Sequence, residues 1–162
     1  MNSASSPTPQ RIAEITLDER TVIRRSRAIE DERAAAITDL LKDNQFTPLS
    51  GRAGPFHLHL AIEENRLLME IRAAADGSSE SIVLPLAPFR RIVKDYFLVC
   101  ESYYEAIRDK TLTQVEAIDV GRRSLHDEGS ALLTERLAGK VAIDHDTARR
   151  LFTLICVLHL RS

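Results

Sequence analysis

The chain has 162 residues, 44% apolar and 28% charged, with 22 basic against 24 acidic side chains and a formal net charge of −2. A single domain of this length buries enough surface to fold without a metal or a disulfide, which excludes a cross-linked miniature scaffold and a disordered chain. The balanced charge argues against nucleic acid as a partner, and no apolar run approaches the ~20 residues that span a bilayer.

Residues 1–10 are rich in Ser, Thr and Pro without apolar period, so a disordered tail is expected ahead of one domain over 11–162. The first residues lack the basic and apolar regions of a secretory signal. Cys100 and Cys156 stand far apart with no paired motif, so a cytoplasmic protein with free thiols is expected. Over 11–17, Ala13, Ile15 and Leu17 alternate with polar residues, a short edge-strand pattern. Residues 26–43 are helical: acidic Glu30, Asp31 and Glu32 suit the positive end of the helix dipole, and Ile29, Ala36, Ile37 and Leu40 share one face. Pro48, Gly51, Gly54 and Pro55 then mark a loop.

Two alternating runs follow, Phe56, Leu58, Leu60 and Ile62, then Leu67, Met69, Ile71 and Ala73, joined by a hairpin at 63–66. A two-residue turn at Asp76-Gly77 leads into a third strand carrying Ile82, Leu84 and Leu86. That turn pairs Ile71 with Ile82 and Met69 with Leu84. From Pro88 onward the pattern is helical. Residues 89–108 carry an apolar stripe through Phe89, Ile92, Val93, Tyr96, Val99, Cys100, Tyr103, Tyr104 and Ile107. A second long helix runs over 113–137 with Gly139 as its stop. Residues 146–160 are apolar all round, a helix or a strand buried in the monomer or in a subunit interface. The fold class is therefore α+β: a three- or four-stranded, mostly antiparallel meander covered on one face by about four helices.

The sharpest candidate site lies on the helix over 113–137, whose apolar stripe is set by Val115, Ile118, Leu125, Leu132, Leu133 and Leu137. Asp119, Arg122 and His126 fall within or beside that stripe at spacings of three and four, so the three side chains can touch. Burying a carboxylate, a guanidinium and an imidazole is costly unless each is partnered. Either they form a pocket, with Arg122 holding an anion, His126 as acid or base and Asp119 orienting, or they form an internal ion pair with His126 on a backbone carbonyl. Gly121 and Gly129 on the same side suit close helix packing.

Other constellations have simpler readings. His57 and His59 point to one face of a strand, opposite Arg72 and Glu70 on the next, a solvated cross-strand set rather than a metal site. Asp144-His145-Asp146 fits a helix N-cap. Cys156 and His159 belong to the core helix. Eighteen arginines against four lysines include the doublets Arg24-Arg25, Arg90-Arg91, Arg122-Arg123 and Arg149-Arg150, but adjacent residues on a helix diverge by about 100° and do not make a patch. No GxGxxG, GxSxG, HExxH or P-loop occurs, so no metal or cofactor is assigned and a non-enzymatic protein is favoured.

The segments PFRRIVKDYF at 88–97, CESYYEAIR at 100–108, EAID at 116–119, GRR at 121–123 and DTARRLFTL at 146–154 resemble a bacterial family known as uncharacterised protein family 0262. The resemblance implies a bacterial, cytoplasmic protein and carries no activity, cofactor or site residue. The expectation is thus a cytoplasmic binding or regulatory module that self-associates, given the all-round apolar last segment and Leu98 on a polar helix face. Its partner is another copy, a protein or an anionic small molecule. The alternative is a small enzyme or ligand-binding domain acting on a phosphate- or carboxylate-bearing metabolite through Asp119, Arg122 and His126.

Overall fold

A computed structural model describes residues 9–19 and 26–159. The first strand, β1 (Ile12–Leu17), is followed by helix α1 (Arg27–Lys42). Ser26 caps α1 by accepting from the Ile29 amide at 3.3 Å. Buried Asn44 ties the end of α1 to β1: its Oδ1 accepts from the Ile12 amide at 2.7 Å, and its Nδ2 donates to the Ile12 and Leu40 carbonyls. Strands β2 (Phe46–Pro48), β3 (Phe56–Glu63), β4 (Arg66–Ala73) and β5 (Ser79–Pro85) precede a 3-10 turn at Ala87–Phe89. Helices α2 (Arg90–Asp109) and α3 (Leu112–Leu137), strand β6 (Val141–Ile143) and helix α4 (His145–His159) complete the order.

The main sheet has the order β1-β3-β4-β5. It is mixed: β1 runs parallel to β3, while β3, β4 and β5 form the antiparallel meander. The parallel pair follows from α1, which carries the chain back between the two strands as such a crossover requires. A second sheet, β2 with β6, has no counterpart among the sequence expectations. Its three-residue strands are too short to show a period of two, and only the fold brings them together.

The β4–β5 register also differs from expectation. Met69 pairs with Ile82 and Leu67 with Leu84, two residues away from the register of an Asp76-Gly77 turn. The connection spans 74–78, with the Asp76 carboxylate accepting from the Ser78 amide and hydroxyl and Gly77 at φ +72°. An even shift preserves the inward faces, so Leu67, Met69, Ile71, Ile82 and Leu84 are still buried. The two-residue turn with positive φ at both positions forms instead at Glu64-Asn65.

The residues from Leu151 to Leu158 are all buried. They form a helix packed by α1, α2, α3 and β3, so the apolar circumference of α4 is satisfied within one chain. The α3 stripe is rotated from its expected place. Its buried residues are His126, Gly129, Ser130, Leu133 and Leu137, while Val115, Ile118, Leu125 and Leu132 are half-buried. Gly129 lets α3 pack closely on α4, because the Phe152 ring occupies the space a β-carbon would need; a β-carbon at Gly121 would meet nothing. A capping box of Thr111 and Gln114, not among the sequence expectations, starts α3. Asp144 caps α4, accepting from the Thr147 amide at 3.2 Å as expected. Most of the expected 1–10 tail lies outside the described residues, as does Arg24-Arg25. Gln10 is held, its Oε1 accepting from the Gly54 amide at 2.5 Å.

Candidate functional site

The site lies where α1, α3 and α4 meet, above Tyr96 of α2. Asp119 and Arg122 pair as their spacing predicts: Arg122 Nη2 stands 2.9 Å from Asp119 Oδ1. The second anchor of Arg122 is Glu32 of α1, both of whose oxygens accept from Nη1 at 3.2 Å. Tyr103 stacks on the guanidinium, with 4.7 Å from Cζ to the ring centroid. Burial disfavours the charged guanidinium, but Glu32 and Asp119 outweigh it and hold Arg122 above its ordinary basicity. Arg122 is therefore paired with two carboxylates, Glu32 and Asp119.

His126 is buried, 7% exposed, and its partners are hydroxyls rather than a backbone carbonyl. Its Nε2 lies 3.0 Å from the Tyr96 hydroxyl and 3.2 Å from Thr153 Oγ1. Tyr96 spends its own proton on Glu32 Oε1, and Thr153 spends its proton on the Arg149 carbonyl at 3.1 Å. Both oxygens can only accept from His126, so Nε2 carries the hydrogen and Nδ1 carries the lone pair. Burial first, then the neighbouring Arg149 and Arg122 charges, push the imidazole down to about 4. It is neutral at physiological pH. Burial, reinforced by Cys100 and Glu32, holds the Tyr96 phenol protonated far above its ordinary range.

The two thiols are inert here. Burial, then the Glu32 charge, pushes Cys100 up to about 12, and burial holds the fully enclosed Cys156 well above its ordinary range.

A cavity of about 180 Å³ opens among Glu32, Ala35, Ala36 and Asp39 of α1, Arg122 and His126 of α3, and Arg149, Arg150 and Thr153 of α4. Three arginines and two acidic residues are among its lining, and Arg150 Nη1 also donates to the Asp43 carbonyl at 3.2 Å. Two buried polar atoms of its lining residues, His126 Nδ1 and Arg149 Nε, have no hydrogen-bond partner. The Arg149-Arg150 doublet, which sequence reasoning set aside, contributes both members to the lining. Directions about 100° apart straddle a concave site even though they make no flat patch.

Glu32, Asp39, Tyr96, Arg149, Arg150 and Thr153 join the site without having been among the expected site residues. One signal was present: Glu32 follows Ile29 by three and precedes Ala36 by four, so it interrupts the apolar face of α1. Neither Tyr103 nor Tyr104 hydrogen-bonds His126; the tyrosine that does is Tyr96.

On the open face of the sheet, His57 and His59 sit opposite Arg72 and Glu70 as expected. His57 Nε2 and His59 Nδ1 share Thr16 Oγ1 at 3.0 and 2.6 Å, and Arg72 lies 3.0 Å from His57 Nδ1. Among the described residues, no helix is long and apolar enough to cross a membrane.

The fold and site define an α+β domain with a small arginine-lined cavity beside a neutral histidine. The chain belongs to the Uncharacterised protein family (UPF0262), whose pattern it matches over residues 9–161. It is 60% identical over 150 residues to a UPF0262 protein of Rhodospirillum rubrum, covering 93% of this chain and 92% of the relative. A relative in Azorhizobium caulinodans is 54% identical over 160 residues, covering 96% and 98%. One in Rhizobium etli is 50% identical over 151 residues, covering 93% and 96%. No solved structure matches the chain.

Proposed function

We propose that this is a cytoplasmic, non-enzymatic protein that binds a small anionic ligand, phosphate- or carboxylate-bearing, in the cavity between α1, α3 and α4. The observation that carries this reading is the cavity itself, lined by Arg122, Arg149 and Arg150 beside Glu32, Asp39 and His126. The volume of about 180 Å³ is below the ~300–1,000 Å³ of sites for drug-sized molecules, which favours a small anion over a nucleotide. Binding is favoured over acid–base catalysis because an imidazole held down to about 4 changes charge far from neutral pH.

The test is a thermal-shift titration with inorganic phosphate and small carboxylates. At 100 times its dissociation constant, a ligand adds about 2.7 kcal/mol of stability. The shift is expected to vanish in Arg149→Gln and persist in Arg66→Gln on the distant β3–β4 hairpin. Equal shifts in both variants refute the site.

Self-association is a second reading, favoured by Leu98, which is 60% exposed on α2. The burial of α4 within one chain removes the other ground for it. Light scattering that gives a monomer at micromolar concentration refutes this reading.

A further inference from the structure

Resting on the self-association reading above and independent of the anion cavity, we infer that two copies of this chain join edge to edge through β5, antiparallel about a two-fold axis at Ser81. β5 ends the order of the main sheet and pairs with β4 alone. The ladder fixes which of its backbone groups are free. The Leu86 amide donates to the Asn65 carbonyl at 3.0 Å, and the Ala73 amide donates to the Ser78 carbonyl at 2.8 Å, one bond at each end. The register between them is unbroken, so bonded pairs alternate, and Glu80, Ile82 and Leu84 direct their N–H and C=O groups at β4. Ser79, Ser81 and Val83 therefore direct theirs outward. All three residues are exposed, and among the described residues nothing takes up those groups.

At the opposite edge of the sheet, Asn44 takes up both backbone groups of Ile12 in β1. An open row of donors and acceptors is a template for another strand, and a lysine is a common device against such pairing. β5 has no lysine. Its row is also complementary to itself. With Ser81 on the axis, Ser79 lies opposite the partner's Val83 and Ser81 opposite the partner's Ser81, so each outward N–H meets an outward carbonyl. Pro85, which has no N–H to offer, falls beyond the paired residues. The outward residues carry small uncharged side chains, and Val83, 43% exposed, is covered by the partner's Ser79. Glu80 lies opposite the partner's Ile82, not opposite a like charge, and Arg52 already pairs with it at 2.8 Å.

The experiment uses the full chain. Light scattering at micromolar concentration gives the mass, and amide hydrogen exchange followed by NMR at the same concentration reads β5 residue by residue. The expected result is a dimer in which the Ser79, Ser81 and Val83 amides exchange at least about tenfold more slowly than free exposed amides. Ser81→Pro removes the donors at the axis without removing a bond to β4, and it is expected to be monomeric. Leu98→Lys is expected to remain dimeric. A dimer whose Ser79, Ser81 and Val83 amides exchange freely, or one that survives Ser81→Pro, overturns this inference and leaves self-association standing. A native chain that is monomeric overturns both. The exchange measurement needs no substitution, so the folding of a variant does not decide the test.

Discussion

Replacing His126 with Gln removes the titrating ring while retaining a side-chain amide that can donate to Tyr96 and Thr153. In the native protein the imidazole is held down from 6.5 to about 4, first by burial and then by the Arg149 and Arg122 charges. In the unfolded chain it takes up a proton below about pH 6.5. The stability associated with His126 is therefore whole above pH 6.5 and is lost as the pH falls toward 4. At about 1.4 kcal/mol per pH unit, the full loss is about 3 kcal/mol. Between pH 7.5 and 4.5 the expected loss is about 2 to 3 kcal/mol, roughly half of it by pH 5.5. The assay is urea unfolding of the wild type and His126→Gln at half-unit pH steps, read as the difference between the two proteins so that shared carboxylates largely cancel. The wild type is expected to lose stability relative to the variant over this window. Parallel profiles would refute the reasoning, because they would mean that His126 binds its proton equally well in the native and unfolded states.

Gly129→Ala is expected to destabilise by about 1–2 kcal/mol, because its β-carbon falls on the Phe152 ring. Gly121→Ala is expected to be neutral or to stabilise by up to about 1 kcal/mol, since its β-carbon meets nothing; equal melting temperatures for the two variants contradict the packing described. Tyr96→Phe leaves Glu32 and His126 each short of a hydroxyl partner and is expected to cost about 1–3 kcal/mol in chemical denaturation. A loss under about 0.5 kcal/mol would show that the hydroxyl bridges nothing of consequence. Asp144→Ala removes the α4 cap and is expected to cost about 1 kcal/mol, again read from urea midpoints.

By itself the sequence determined what is local. Helices α1, α2 and α3 lie within a residue or two of their expected bounds, because 3.6-residue periodicity over four or more turns leaves little freedom. The faces of β3, β4 and β5 were legible for the same reason at a period of two, and they survived a misplaced turn because the register slipped by an even number. The Asp119–Arg122 contact was legible as neighbours on one helix. Tertiary structure alone decided which groups from other elements complete that contact. Glu32 lies 90 residues from Arg122, and Thr153 lies 27 from His126. No spacing rule operates at such separations, where contacts depend on how helices dock. The parallel pairing of β1, the β2–β6 ribbon and the enclosure of α4 within one chain were decided the same way. A three-residue strand carries too little pattern to announce its partner, and an apolar helix buried in a core reads the same as one buried in an interface.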